Sequence, residues 1–247
     1  MKLIGMIHLK TLPGYPQHKN MDFVINAALD DAKKLEMGGV DALLIENTDD
    51  DPHQKEVSRE TIAAFTAVSL HIKEKTKVPI GICVLWNDYK ASLAIAKVVG
   101  AAFVRIPVFT EAVLTASGFI EGNPYDVISY REKIKALDIK ILADIHVKHA
   151  SHLSTRSIQE SAIEALHFGA DEIIITGKFT GDKPTLHDLQ QVRTACPSST
   201  IIVGSGTTSE NIKEIKLYVH RFIVGTYFKN EKNEIDIAKV RHLKSLL

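Results

Sequence analysis

The chain has 247 residues, of which 45% are hydrophobic and 24% charged, and its formal net charge is +0. That length suits one large core, and α/β barrels often reach it as a single domain. The balanced charge leaves no footprint for nucleic acid or an anionic membrane surface, no apolar run approaches the roughly 20 residues of a spanning helix, and Cys83 and Cys196 lack the spacing of a zinc site or a disulfide framework.

The first strand-length run, LIGMIHL (3–9), carries His8 near its end. It passes so quickly into Pro13-Gly14 that no secretion signal is read there, and a cytoplasmic setting is expected. Ile25, Leu29, Ala32 and Leu35 form an apolar stripe opposite Asp30, Asp31, Lys33 and Lys34, which predicts a helix over 22–37 closed by Gly38-Gly39. VDALLIE (40–46) follows, with Glu46 in phase with Leu44 and Ala42, and then Asn47. Asp49-Asp50-Asp51 with His53 reads as a solvated acidic loop. VPIGICVL (78–85) leads to Asn87-Asp88, and Gly100 precedes AAFVRIPV (101–108), which contains Arg105. The segment 108–124 is read as a long loop with a short helix after it.

IKILADIHV (139–147) ends differently from the others. Asp144, His146 and Lys148 alternate with apolar Ile145 and Val147. In a strand, alternate residues share a face, so three ionisable groups are expected side by side. His149 and His152 follow in what reads as a solvated loop. Ser157 and Glu160 have capping-box spacing, as do Thr185 and Asp188. Between them lie Gly169, the run DEIIITG (171–177) with Thr176, and Lys178, read as an ordinary loop lysine. STIIVGS (199–205) opens into GSGTTSEN (204–211), and the last run is RFIVGT (221–226).

Eight such runs, mostly apolar on both faces and alternating with helix-period segments, fit buried parallel strands. Their count and the chain length predict a single-domain (β/α)8 TIM barrel over 1–247, with a doubly wound sheet as the other arrangement. In a barrel, chemistry gathers at the C-terminal ends of the strands. The candidates there are Asp144, Glu46, Lys148, His146 and Arg105 for catalysis, and His8, Asn47, Asn87 and Thr176 for substrate contacts. Gly204, Ser205, Gly206 and Thr207, opening a helix after the seventh strand, and Gly225-Thr226 after the eighth, stand where barrels bind phosphate. Asp144 is the first candidate acid/base and Glu46 the second, with Lys148 and Arg105 holding negative charge on a substrate. The alternatives are a charge network closing the mouth, and a divalent metal on Asp144, His146 and Glu46 with Lys148 turned away. No cofactor is otherwise indicated, and a homo-oligomer is left open.

The motifs IGMIHLKTLPG (4–14), DALLIEN (41–47), PIGICVLWND (79–88), FVRIPV (103–108), GFIEG (118–122), LADIHVKHAS (142–151), IIITGKFTG (173–181), VGSGTTSEN (203–211) and IVGTYFK (223–229) run in order over nearly the whole chain. Together they resemble the BtpA/SgcQ family. That family is similar to ribulose-phosphate-binding barrels, and the resemblance implies the same fold and a phosphate site. It also implies two classes of function. One is an enzyme acting by acid/base chemistry on a phosphorylated sugar or nucleoside-like metabolite, whether as lyase, isomerase, or glycosyl hydrolase or transferase. The other is a non-catalytic factor for photosystem I assembly that uses the barrel as a scaffold. The family usually reads Arg-Val-Asn in the fourth strand, where this chain has Arg105-Ile106-Pro107, so any contact made by that Asn side chain is lost.

Overall fold

Each of the eight apolar runs forms one strand of a closed barrel in the computed structural model, which describes residues 2–247. In chain order the strands are β1 (Leu3–His8), β2 (Ala42–Glu46), β3 (Ile80–Cys83), β4 (Phe103–Ile106), β5 (Ala112–Thr115), β6 (Gly118–Glu121), β7 (Lys140–Ile145), β8 (Ser151–His152), β9 (Glu172–Ile175), β10 (Ile201–Val203) and β11 (Arg221–Val224). The barrel closes in the order β1-β11-β10-β9-β7-β4-β3-β2. All of its pairs are parallel, with β1 joined to β2 on one side and to β11 on the other. The expected (β/α)8 barrel is the architecture of the chain.

Helices α1 (Met21–Gly38), α2 (Arg59–Lys75), α3 (Tyr89–Val99), α4 (Pro124–Lys133), α5 (Ile158–His167), α6 (Leu186–Ala195), α7 (Ile212–Ile215) and α8 (Ile237–Ser245) follow the barrel strands one by one. Their starts are set by local chemistry. Ser157 and Glu160 form a complete capping box on α5, and Thr185 caps α6 through the Asp188 N–H. Such caps satisfy backbone donors that no preceding turn can reach. Gly39 and Gly100 end α1 and α3 in the left-handed conformation. The buried stripe of α1 is Val24, Ala28, Ala32 and Leu35, while the expected Ile25 and Leu29 lie at its edge.

Strand alternation divides the apolar residues between two cores. Outward-facing residues such as Leu43, Ile45, Ile141 and Ile173 pack under the helices. Inward-facing Ile4, Met6, Ala42, Leu44, Cys83, Phe103, Leu142, Ile174, Ile202 and Ile223 fill the barrel. Phe103 reaches across the space left by Gly81, where a Cβ would run into the ring. At the first residues of their strands, Lys140 and Arg221 both donate to buried Glu172, at 2.9 and 2.7 Å. This ion network closes the lower end of the barrel.

The segment 108–124, expected as a loop, instead contains the hairpin β5–β6, and β8 from the loop after β7 joins it to make a three-stranded antiparallel sheet. Gly118 turns the hairpin with φ +88, and Thr115 holds the turn through Ser117 N and Gly118 O. Val113 and Ile120 on its underside pack with Val108, Val147 and Trp86. Its signal is weak in the sequence because the strands are four residues long and Ala112-Val113-Leu114 does not alternate. Ser117 Oγ donates to His53 O at 2.6 Å, so the hairpin also rests on the loop after β2.

Gly81→Val tests the inner packing. Overpacking a full core typically costs about 1–3 kcal/mol, so chemical denaturation should show a lower midpoint for Gly81→Val. A midpoint equal to wild type would mean that Phe103 has room to move.

Candidate functional site

The alternation that fills the barrel also builds its mouth. Two residues beyond inward-facing Met6, Leu44, Phe103 and Leu142 stand His8, Glu46, Arg105 and Asp144. Arg105 lies at their centre. Its Nε donates to Asp144 Oδ1 at 2.9 Å and its Nη2 to Asp144 Oδ2 at 2.8 Å, while Nη1 donates to Glu46 Oε2 at 3.3 Å. A two-pronged guanidinium–carboxylate contact is among the strongest polar contacts available to side chains. All three residues are buried. Thr48 Oγ1 donates to the remaining Glu46 oxygen at 3.0 Å.

The two carboxylates differ in access. Glu46, together with His8, Thr48, Arg105 and Lys148, lines a cavity of about 260 Å³. Asp144 is fully enclosed, and both its oxygens are held by Arg105. Burial raises the Asp144 carboxyl above its ordinary range, against the pull of Arg105 and Lys148. Burial also acts on Glu46, but Arg105, His8, Lys148 and the Thr48 hydroxyl outweigh it and leave Glu46 below its ordinary value. Burial lowers His8 to about 4, so its ring is neutral near pH 7. Burial lowers the Lys148 amine, and Arg105 lowers it further. These are the desolvation and charge effects expected of ionisable groups inside a protein.

The other side of the cavity is backbone. Gly204, Ser205, Gly206, Thr207, Gly225 and Thr226 line it, with Thr208 and Tyr227. The expected helix start at 204–211 is absent. α7 begins only at Ile212 and is four residues long. Asn211 instead holds the turn, accepting from Thr208 N at 2.9 Å and donating to Gly206 O at 2.7 Å. Gly206 has φ +67, and a Cβ there would run into the Lys183 backbone nitrogen. Ser205 Oγ donates to Asp182 O and accepts from Gly177 N, tying this loop to the one after β9. Among the described residues, the N–H groups of Gly206 and Thr207 meet no acceptor. Thr207 Oγ1 has no partner either, although Thr207 is only 2% exposed.

Several expected site residues do other work. His146 does not share the face of Asp144 and Lys148. β7 ends at Ile145, and His146 has φ +50, so the strand alternation stops there. Its ring turns away from the mouth, with Nε2 3.2 Å from Ser161 Oγ on α5 and 3.5 Å from Glu111 Oε1. Asp144, His146 and Glu46 therefore do not converge, and no group of three metal-binding side chains is found among the described residues. Asn47 accepts from Leu85 N and donates to Asp50, and Asn87 exchanges two hydrogen bonds with the Val108 backbone. Thr176 Oγ1 accepts from Lys148 N at 3.1 Å, supporting the backbone beneath the amine.

Two loops expected to be solvated are partly buried. Asp50 is enclosed and accepts from Leu12 N at 2.8 Å. His152 is bound to Glu111 at 3.1 Å and stacks near His146 at 5.1 Å. Thr48 and Glu111 were missed by the sequence reading. Thr48 was findable, since it lies two residues beyond Glu46. Glu111 was hidden in the segment read as a loop.

A family profile described as the BtpA family matches residues 1–247. The Methanocaldococcus jannaschii protein MJ1115 is 39% identical over 99% of this chain and 94% of its own length. The photosystem I biogenesis protein BtpA of Synechocystis is 36% identical over 94% of this chain and 81% of its own. Among solved structures, phosphoribosyl anthranilate isomerase from Thermus thermophilus superposes with TM-score 0.64 at 11% identity, covering 100% of this chain and 98% of that one. Thiamine phosphate pyrophosphorylase from Pyrococcus furiosus superposes with TM-score 0.61 at 15% identity, covering 99% and 94%. At such identities the structural likeness concerns the fold.

Two outcomes follow from the charges. Arg105→Met leaves Asp144 buried without its cation, and urea denaturation should show a loss of about 3–5 kcal/mol. A loss below about 1 kcal/mol would mean that water or Lys148 replaces the guanidinium. The second concerns acid. The unfolded chain takes up a proton at His8 below its ordinary 6.5, the folded chain only near 4. Stability from this group therefore falls across that window as pH drops. His8→Gln should remove about 2 kcal/mol of the difference in unfolding free energy between pH 7 and pH 5. An unchanged pH slope would show that His8 is solvated in the folded chain.

Proposed function

The chain belongs to the BtpA family, and from that premise and the geometry of the mouth we propose that it is an enzyme. In this reading it binds a small phosphorylated metabolite, a sugar or nucleoside-like phosphate, and acts on it by acid/base chemistry. The observation that carries the reading is the loop after β10: among the described residues the N–H groups of Gly206 and Thr207 meet no acceptor and the buried Thr207 hydroxyl has no partner, and both residues line the same cavity as Glu46 and Lys148. Buried polar groups without partners are uncommon and need a reason. A phosphate over this loop accepts from the two N–H groups and, after rotation of Thr207 to another rotamer, from its hydroxyl, and successive N–H groups at a positive-φ glycine form a concave anion seat. Gly225 and Thr226 close the opposite side, where His8 stands too near Gly225 for a side chain to intervene. The names of the solved neighbours, a phosphoribosyl anthranilate isomerase and a thiamine phosphate pyrophosphorylase, agree with such a ligand.

A cavity of about 260 Å³ lies just below the range of about 300–1,000 Å³ for drug-sized ligands, which favours a short metabolite. With its phosphate over the β10 and β11 loops, the rest of the molecule reaches Glu46, Lys148 and His8. Glu46 then takes the acid/base role, because it alone of the two carboxylates borders the cavity. Asp144 positions Arg105, and through it Glu46. This reverses the order expected from the sequence.

A second reading has one observation in its favour beyond the name of the Synechocystis relative. Leu114 and Phe119 pair across the hairpin and both are exposed on its outer face, as a contact surface for an assembly factor would require.

Thr207→Val keeps the shape and removes the hydroxyl, which makes it a cleaner probe than a bulky residue at Gly206. A hydrogen bond to a charged group contributes about 1.5–3 kcal/mol, so the calorimetric Kd for inorganic phosphate should rise at least tenfold. Equal binding of a sugar phosphate and its dephosphorylated form to the wild-type chain would exclude the phosphate site. Once a substrate is in hand, Glu46→Gln should lower kcat by roughly 10²–10⁴-fold, and full activity in that variant would return the role to Asp144 or favour the scaffold.

A further inference from the structure

We propose that Lys148 is a nucleophile that forms an imine with a carbonyl carbon of the substrate, so that the substrate class is a short phosphorylated aldehyde or ketone. The inference deepens the reading above and rests on the β10 and β11 loops holding the phosphate.

The argument begins with ion pairing. The other cations on the barrel strands have carboxylate partners: buried Arg105 has Asp144 and Glu46, while Lys140 and Arg221, at the more open lower end, share Glu172. Lys148 borders the cavity, yet among the described residues its amine makes no ion pair and donates no hydrogen bond. A lysine that served only to balance charge would be drawn onto Glu46 or Asp144. Here the Arg105 fork engages both Asp144 oxygens and one Glu46 oxygen, and Thr48 engages the other. Lys148 is left partly buried beside a guanidinium. Both conditions disfavour the ammonium form and free the nitrogen lone pair. An amine desolvated next to another cation is a known route to a nucleophilic lysine.

Position completes the argument. Thr176 accepts from the Lys148 backbone N–H at 3.1 Å and fixes the root of the side chain. Glu46 and His8 border the same cavity, within reach of a group bound at the amine. In the step proposed, the amine lone pair attacks the carbonyl carbon and the C=O π pair moves to oxygen. A proton passes from nitrogen to that oxygen by way of Glu46, giving a neutral carbinolamine. A second proton, drawn from solvent by way of Glu46, lets the oxygen leave as water while the nitrogen lone pair forms C=N. Amine, carbonyl and one proton give iminium and water, with no redox change. The iminium then takes up the electron pair of a C–H bond on the adjacent carbon as Glu46 accepts that proton, giving a neutral enamine.

The test uses glycolaldehyde phosphate, a two-carbon aldehyde carrying a phosphate, with cyanoborohydride to fix any imine on the whole chain. Adducts are located by peptide mass spectrometry, and calorimetry with inorganic phosphate is run on the same preparations. Lys148→Arg keeps the charge but supplies no amine, and Lys148→Met guards against a folding effect in either variant alone. The expected result is an adduct at Lys148 ahead of every surface lysine, lost in both variants and slowed by inorganic phosphate and by Thr207→Val. Adducts confined to surface lysines, or the same adduct yield in Lys148→Arg, overturn the imine. If phosphate still binds in that preparation, the phosphate reading survives alone. An adduct at Lys148 that neither phosphate nor Thr207→Val slows keeps the imine and overturns the phosphate reading.

Discussion

The Arg105 guanidinium decides what the barrel mouth is. A cation enclosed among strands is tolerated only when anions and hydrogen-bond acceptors surround it. Glu46 and Asp144 meet that demand from β2 and β7, on either side of β4 and β3. The fork fixes the upper ends of three strands at once, as Glu172 fixes the lower ends of β7, β9 and β11 with Lys140 and Arg221. Between these two polar layers the barrel is filled by aliphatic side chains and Phe103. A buried ion pair is weak evidence for stability in itself, because an apolar filling often does as well. Its presence at the end where barrels do chemistry points to a use for the charges.

That layer also sorts the groups around it. With two carboxylates against Arg105 and Lys148, the cluster carries no surplus positive charge. On the reading proposed above, an incoming dianion therefore finds its partners in the N–H groups of the β10 loop, and the ionisable groups on the other wall are left to exchange protons. His8 belongs to the second wall, and its enclosure keeps it neutral.

The barrel was legible because its two signals are local. Apolar runs of strand length and capped amphipathic segments alternate eight times, and the residues two beyond an inward apolar position reach the mouth. That parity rule picked out Glu46 and Asp144, and the ends of the apolar runs supplied His8 and Arg105. It failed at His146, where a single left-handed residue ends the alternation, and no feature of ADIHVKHAS announces that turn. It also could not separate Asn47 and Asn87 from a ligand site, because an amide at a strand end serves a neighbouring loop as readily as a substrate. Asp50 was misread for a related reason. Three consecutive aspartates look solvated, yet the Leu12 N–H and the Asn47 amide give the middle one enough partners to be buried. The bond from Leu12 joins residues 38 apart in the chain, and periodicity carries no trace of it.

The hairpin makes the mouth one-sided. It follows β4, recruits β8 from the loop after β7, and touches the loop after β2, so this half of the rim is roofed by Val113, Ile120 and Trp86. The cavity is instead walled by Met6 and His8 of β1 and by the loops after β9, β10 and β11, with Glu46, Thr48 and Lys148 at its edge. On the reading proposed above, the anionic end of the ligand lies over the β10 and β11 loops and its other end faces Glu46 and Lys148. The same roof keeps the Glu111, His146 and His152 cluster outside the cavity. His146 and His152, which the sequence places near Lys148, turn instead to Glu111, and the amine is left with Glu46 and Arg105 at the edge of the cavity.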